Sequence, residues 1–228
     1  MSVAPLQRWL LLDSGPCDYA LNMALDETLL ESAPTANGPS LRFYGWTQPA
    51  ASFGYFQRIA DIERSTDLRP LVRRPTGGGL VSHAADWTYS VIIPPHHSWY
   101  RLRANESYEQ MHRWIQSAFA ELGIVADLAP CGRKEVAGQC FAGYETSDLL
   151  CLGKKIAGAA QRRTKAGLLI QGSVQSLPRN IARERWQHAM CSVMSVTWQI
   201  LKLSPDMTSR CNHLAAEKYS NDEYNRRH

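Results

Sequence analysis

A chain of 228 residues with 44% hydrophobic and 20% charged residues carries enough apolar material for a full core and the charge content of an ordinary globular enzyme. No run of about 18 or more apolar residues occurs, which excludes a membrane-spanning helix. The net charge of +4 suits an acidic protein partner, and without a basic stripe interleaved with aromatics it argues against nucleic acid.

Residues 1–12 contain Arg8 and a short apolar patch at 9–12, followed by Asp13. The patch is too short for a signal-peptide core and reads as a first strand. A cytoplasmic location is therefore expected. Leu21, Ala24, Leu25, Leu29 and Leu30 recur at helical spacing and predict a helix over 18–31. Residues 34–39 read as a loop. Strands are expected at 41–44 and 51–55 around the turn residues 47–49, and at 71–74, where Pro75 and three glycines break the run. The β-prone run 87–93 stops at Pro94 and Pro95 and makes Trp87 and Tyr89 core residues, while His96 and His97 after it should face solvent.

A long amphipathic helix follows, capped by Asn105 and closed by Gly123, with Tyr108, Met111, Ile115, Ala118, Phe119 and Leu122 as its buried stripe. Short strands are expected near 124–128, 148–152 and 167–174, then a helix near 181–193. The fold class is α+β, a mixed β-sheet with helices packed on one side. Residues 1–204 form the folded unit and 205–228 a polar C-terminal tail. There is no internal repeat.

Two segments carry chemistry. In RRPTGGGLVSH (73–83) three glycines after a strand let backbone amides approach a ligand, and Arg73 and Arg74 offer charge for an anionic group. It is neither a dinucleotide fingerprint nor a P-loop, and residue types alone leave it open between a turn and a site. In GKKIAGAAQRR (153–163) a lysine flanked by glycines can be aimed into a cleft to stabilise negative charge on a carbonyl or phosphate. A solvated basic hairpin is the other reading, since Lys154, Lys155, Arg162, Arg163 and Lys165 cluster here. The six cysteines (Cys17, Cys131, Cys140, Cys151, Cys191, Cys211) form no CxxC pair and no zinc spacing with histidine, so neither a metal site nor a disulfide framework is expected.

Four segments together resemble the lipoate–protein ligase and octanoyltransferase family, which is related to the biotin–protein ligases. They are NMALDE (22–27); LRFYGW (41–46) with SFGYFQ (52–57); the 73–83 loop with DWTYS (86–90); and GKKIAGAAQ (153–161). They run in the family's order from about residue 18 to 174. The resemblance implies a biotin/lipoate protein ligase-like catalytic domain whose cleft holds a medium-chain acyl group. It puts the functional lysine at Lys155. Arg73, Arg74, Thr76, Gly77, Gly78, Gly79, His83, Gly158 and Ala159 would bind the acyl substrate, with His83 holding the Gly loop by hydrogen bonds.

QCFA (139–142) ahead of SDL (147–149) looks like the loop that holds the nucleophilic cysteine in single-domain octanoyltransferases, which makes Cys140 a catalytic candidate; Cys131 and Cys151 remain structural. The implied activity is transfer of an octanoyl (or lipoyl) group from acyl carrier protein, or from another lipoyl domain, through a cysteine thioester to a lipoyl-domain lysine. The acceptors would be the glycine cleavage H protein or a 2-oxoacid dehydrogenase E2. Transfer requires no cofactor. The alternatives are an ATP- and Mg-dependent lipoate ligase and a non-catalytic acyl-binding homologue. Two departures stand out: Ala84 follows His83 where the family has aspartate, and IQGS (170–173) lacks the family's histidine.

Overall fold

The computed structural model describes residues 6–134, 138, 140–176 and 181–227. The chain opens with β1 (Arg8–Cys17) and α1 (Tyr19–Ser32), then β2 (Ser40–Trp46), β3 (Ala51–Phe53), α2 (Ile59–Ser65), β4 (Leu71–Arg73), β5 (Val81–Ser82) and β6 (Trp87–Ile93). The long α3 (Ala104–Glu121) leads into four short strands, β7 (Asp127–Leu128), β8 (Arg133–Lys134), β9 (Gly143–Tyr144) and β10 (Leu149–Cys151). A hairpin of β11 (Lys154–Thr164) and β12 (Gly167–Val174) follows, then α4 (Arg183–Ser192), β13 (Thr197–Ile200), α5 (Pro205–Leu214) and α6 (Asp222–Arg226).

Eight strands form a mixed sheet in the order β13-β1-β2-β6-β12-β11-β10-β7. β1 is parallel to both β13 and β2, and the remaining neighbours are antiparallel. A smaller sheet, β4-β3-β5, carries the Gly loop between β4 and β5. Successive side chains of a strand point to opposite faces. Val91 and Ile93 of β6 and Leu168 and Ile170 of β12 therefore pack with Met111, Ile115 and Phe119 of α3 and Trp186 of α4. Their neighbours Ile92 and Leu169 pack with Met23, Leu29 and Leu30 of α1 and with Leu214 of α5. Helices thus cover both faces of the sheet, not one as expected.

The stretch after Pro205 is not a polar tail. Ser204 caps α5 through a bond from Met207 N of 3.2 Å, and Cys211, Leu214, Ala215 and Tyr219 are buried. Lys218 reaches Glu27 of α1 at 2.6 Å and Tyr219 donates to the same carboxylate at 2.7 Å. The segment reads as polar because only one side of it turns inward. Two further expectations shift. α3 begins one residue before Asn105, since the Glu106 carboxylate accepts from Arg103 N at 2.7 Å and caps the helix there. His97 is buried rather than solvent-facing, accepting from Trp99 N at 3.3 Å, and burial pushes its imidazole down.

His112, on the buried side of α3, has a titration of its own. Its Nδ1 donates to Tyr108 O at 3.0 Å while Nε2 lies buried without a partner, and burial lowers the imidazole from 6.5 to about 4. Between those values the unfolded chain binds a proton that the native state refuses, so stability falls as pH drops from 6.5 towards 4. The expected loss is about 3 kcal/mol over that window. Urea unfolding of His112→Phe should show a correspondingly shallower acid limb, and an unchanged limb would contradict the assignment.

Candidate active site

The Gly loop is braced from below. Arg74, at 4% exposure, donates to Gly77 O at 3.0 Å, Gly79 O at 2.8 Å and Ser52 O at 3.2 Å, so its guanidinium organises the loop's carbonyls. Burial lowers its pKa from the usual value, and the nearby Cys140 opposes that. Thr76 Oγ1 donates to Gln171 Oε1 at 2.8 Å and ties the loop to β12. Arg73 is not brought to the cleft. Its guanidinium is engaged by main-chain carbonyls, among them Tyr55 and Gln57 at 2.7 Å and Arg227 at 2.6 Å, while its own N–H donates to Asn225 Oδ1 at 2.8 Å. It joins the root of the Gly loop to the C-terminal helix.

Cys140 sits where two backbones run side by side. Leu80 N donates to Gly138 O at 2.8 Å and Cys140 N to Leu80 O at 3.0 Å. A Cβ on Gly79 would lie 2.7 Å from Gly138 O and 3.0 Å from Cys140 N, closer than real contacts allow. Gly79→Ala is therefore expected to push the cysteine loop away, lowering the kcat of any reaction that runs through Cys140 about 10-fold or more while the melting temperature changes little. Gln139, part of the expected cysteine motif, lies outside the described residues.

Lys155 is delivered by the β10–β11 hairpin. Its two-residue turn, Leu152 and Gly153, takes positive φ at both positions (50° and 76°), as a type I′ turn requires. The lysine is 8% exposed and meets the cleft through Cys140, with Nζ donating to Cys140 O at 2.8 Å and lying 3.7 Å from Cys140 Sγ. Asp148 Oδ2 stands 2.7 Å from the same nitrogen. Gly158 leaves the lysine room, since a Cβ there would meet its Cε at 2.5 Å. The cleft wall includes Phe141 and, of the expected site residues, Arg74, His83, Cys140, Gly158 and Ala159. Asp148 and Ala160 were given no role from the sequence, and Gln171 was noted only as part of the segment that lacks the family's histidine. A buried carboxylate seven residues before the lysine, across a hairpin, was the available signal for the first.

His83 stacks on Trp46 at 3.9 Å between ring centroids and 14° between planes. Its Nδ1 pairs with Asp86 Oδ2 at 2.8 Å and its Nε2 with Ser52 Oγ at 2.8 Å, so it reaches the Gly loop through Ser52 and not directly. Asp86 also accepts from Ser173 Oγ at 2.7 Å and Thr88 Oγ1 at 3.0 Å. Burial favours the protonated acid, but the His83 charge and these bonds outweigh it and hold Asp86 below the usual carboxylate range. The carboxylate missing at Ala84 is thus supplied to His83 by Asp86.

Behind the cleft three of the four resembling segments meet at one carboxylate, joined there by Gln171 of β12. Asp26 Oδ1 accepts from Arg42 at 2.7 Å and Ser90 at 2.6 Å; Oδ2 accepts from Gln171 Nε2 at 2.7 Å and Tyr44 at 3.3 Å. Arg42 also holds Asn22 Oδ1 at 2.8 Å, and both charged residues are completely buried. Gln171, where the family's histidine is missing, links Asp26 to Thr76 and so fixes the Gly loop from inside.

The family model of the lipoyl protein ligase A/B catalytic domain matches residues 18–182, well over half the chain. The chain belongs to this family. Octanoyltransferase LipM of Anoxybacillus flavithermus is 38% identical over 182 residues, which cover 73% of this chain and 64% of that protein. The LipM of Geobacillus kaustophilus matches to the same extent, so the chain spans slightly under two thirds of these relatives' length. LipM of Bacillus subtilis is 29% identical over 96% of this chain and 98% of its own. Among solved structures, Ta0514 from T. acidophilum with bound lipoic acid superposes with a TM-score of 0.76 at 20% identity, over 97% of this chain and all of the other. A lipoate-protein ligase A bound with ATP gives 0.75 at 21% identity, over 97% and 98% of the two chains. These establish the expected lipoate ligase-like fold. No helix among the described residues is long and apolar enough to cross a membrane.

Proposed function

We propose that this member of the family is an acyltransferase that moves an octanoyl (or lipoyl) group through a thioester on Cys140 to a lipoyl-domain lysine. The observation that carries the reading is the ammonium of Lys155, 3.7 Å from the Sγ of Cys140, which lines the cleft with Phe141, Gly158 and Ala159. The cysteine thiolate attacks the carbonyl carbon of a donor thioester, with acyl carrier protein as the donor. The tetrahedral intermediate collapses, the donor sulfur leaves, and it takes up the proton that Cys140 released. The acceptor amine then attacks the acyl-cysteine, loses a proton as the C–N bond forms, and Cys140 departs with the thioester's electron pair. A nearby fixed positive charge stabilises both the thiolate and the oxyanion.

Thioester exchange is nearly isoenergetic, so this route needs no ATP. The name of the LipM relatives favours it over ligation. Lipoyl domains as acceptors, on the glycine cleavage H protein or a dehydrogenase E2, draw support from an archaeal bi-partite ligase of Thermoplasma acidophilum described with its E2 lipoyl domain. In this reading residues 1–204 hold the catalytic machinery, and the helices beyond Pro205 brace it through Arg73.

Incubation with octanoyl-acyl carrier protein is expected to raise the intact mass by one octanoyl group, mapped to Cys140. A parallel arm offers lipoate and ATP. Acylation of a lipoyl domain in that arm alone, with Cys140 unmodified throughout, would overturn the proposal in favour of a ligase.

A further inference from the structure

We propose that Asp148 is the positioning residue of this site: it holds the Lys155 ammonium against Cys140, so that the lysine acts as a fixed positive charge for the sulfur. This rests on the reading of Cys140 as the nucleophile. Asp148 is completely buried, and every feature of its surroundings fixes its direction. Oδ2 lies 2.7 Å from Lys155 Nζ and accepts from Glu145 N at 2.7 Å. Oδ1 accepts from the Tyr108 hydroxyl, which in turn accepts from Ala159 N at 3.3 Å. The Asp148 backbone is held as well, with its N donating to Glu145 O at 3.0 Å and its carbonyl accepting from Ala129 N at 2.8 Å.

Among the described residues the ammonium has Asp148, Cys140 O and Cys140 Sγ around it, with the Phe141 ring 4.8 Å away. Among the described residues, Tyr108, His112 and Arg74 near this point do not substitute for the aspartate. From α3, Tyr108 is kept protonated by burial and by Asp148, and burial keeps His112 neutral down to about 4. From the Gly loop, Arg74 adds positive charge near Cys140. A nearly buried ammonium beside a guanidinium, without a counter-charge, favours the neutral amine or swings outward. Either outcome removes the charge that lets the thiol ionise. A buried ion pair also does little for stability compared with apolar packing, which makes a positional role the better account of this one.

The test follows the alkylation of Cys140 by iodoacetamide as a function of pH, read on the Cys140 peptide by mass spectrometry. Wild type, Asp148→Asn, Asp148→Glu and Tyr108→Phe are compared beside their octanoyl-transfer kinetics. In Asp148→Asn the half-maximal rate is expected about one pH unit or more higher than in wild type, with partial restoration by Asp148→Glu. Transfer kcat is expected to fall about 100-fold, with KM for the donor little changed. Tyr108→Phe, which removes one bond to Oδ1, should shift the profile the same way by less, and it provides the answer if Asp148→Asn does not fold. An unchanged profile in folded Asp148→Asn, or in Tyr108→Phe should the former not fold, would overturn the proposal. A profile that depends on Asp148, combined with no octanoyl adduct on Cys140 from octanoyl-acyl carrier protein, would support the positioning role and reject acyl transfer.

Discussion

Asp26→Ala is expected to destabilise the protein by about 3–5 kcal/mol, the largest stability effect of any single substitution at the polar centre. The variant leaves Arg42 fully buried with its counter-charge gone, and Ser90, Gln171 and Tyr44 lose an acceptor at the same time. Urea unfolding at neutral pH measures the loss. The physical cause can be separated from simple loss of packing. If the cost is an uncompensated charge, the double variant Asp26→Leu with Arg42→Met should be more stable than Asp26→Ala alone. A double variant no better than that single one would show that hydrogen-bond geometry, not charge, dominates. Because Gln171 bonds both Asp26 and Thr76, the variant should also loosen the Gly loop and raise KM for the acyl donor.

Cys140→Ser is expected to lower octanoyl transfer by about 1000-fold or more, because a hydroxyl held against the same lysine is a far weaker nucleophile at neutral pH. Its fold should be unaffected, since the side chain is only half-buried and the loop is held through its backbone. A continuous assay with octanoyl-acyl carrier protein and a lipoyl domain reads the rate, and calorimetry with octanoate reads whether the cleft still binds. Wild-type transfer by Cys140→Ser would exclude the thioester route. Lost transfer together with lost octanoate binding would place the residue in the pocket wall and not in the chemistry.

The parts of this architecture that could be read in the sequence are those whose signal is local. Helix α1 announced itself by the spacing of Leu21, Leu25 and Leu29, and β6 by its unbroken β-prone run. The Gly and lysine segments were left open by residue types alone and became legible as a site through the family resemblance. What the motifs are for in the fold was not legible. Asp26 and Gln171 are 145 positions apart, and nothing in either neighbourhood says that they touch. Arg73 read as an anion-binding charge, yet its partners are carbonyls, several of them about 150 residues away at the C-terminal helix. Asp148 read as the first residue of a short strand, and its importance appears only when the β10–β11 hairpin folds Lys155 back onto it.

The stack of His83 on Trp46 equips the cleft with its own optical reporter. An imidazole in face contact alters the indole's emission, so Trp46 fluorescence should report the stacking of His83 and, with it, the state of the Asp86 and Ser52 contacts as a ligand enters. The chain has seven tryptophans, but Trp9, Trp99, Trp114 and Trp198 gather in the core beside α3, and Trp87 lies against Trp186. Replacing Trp46 by Phe and subtracting its spectrum would isolate that one signal. Cleft occupancy could then be followed in real time on unlabelled protein.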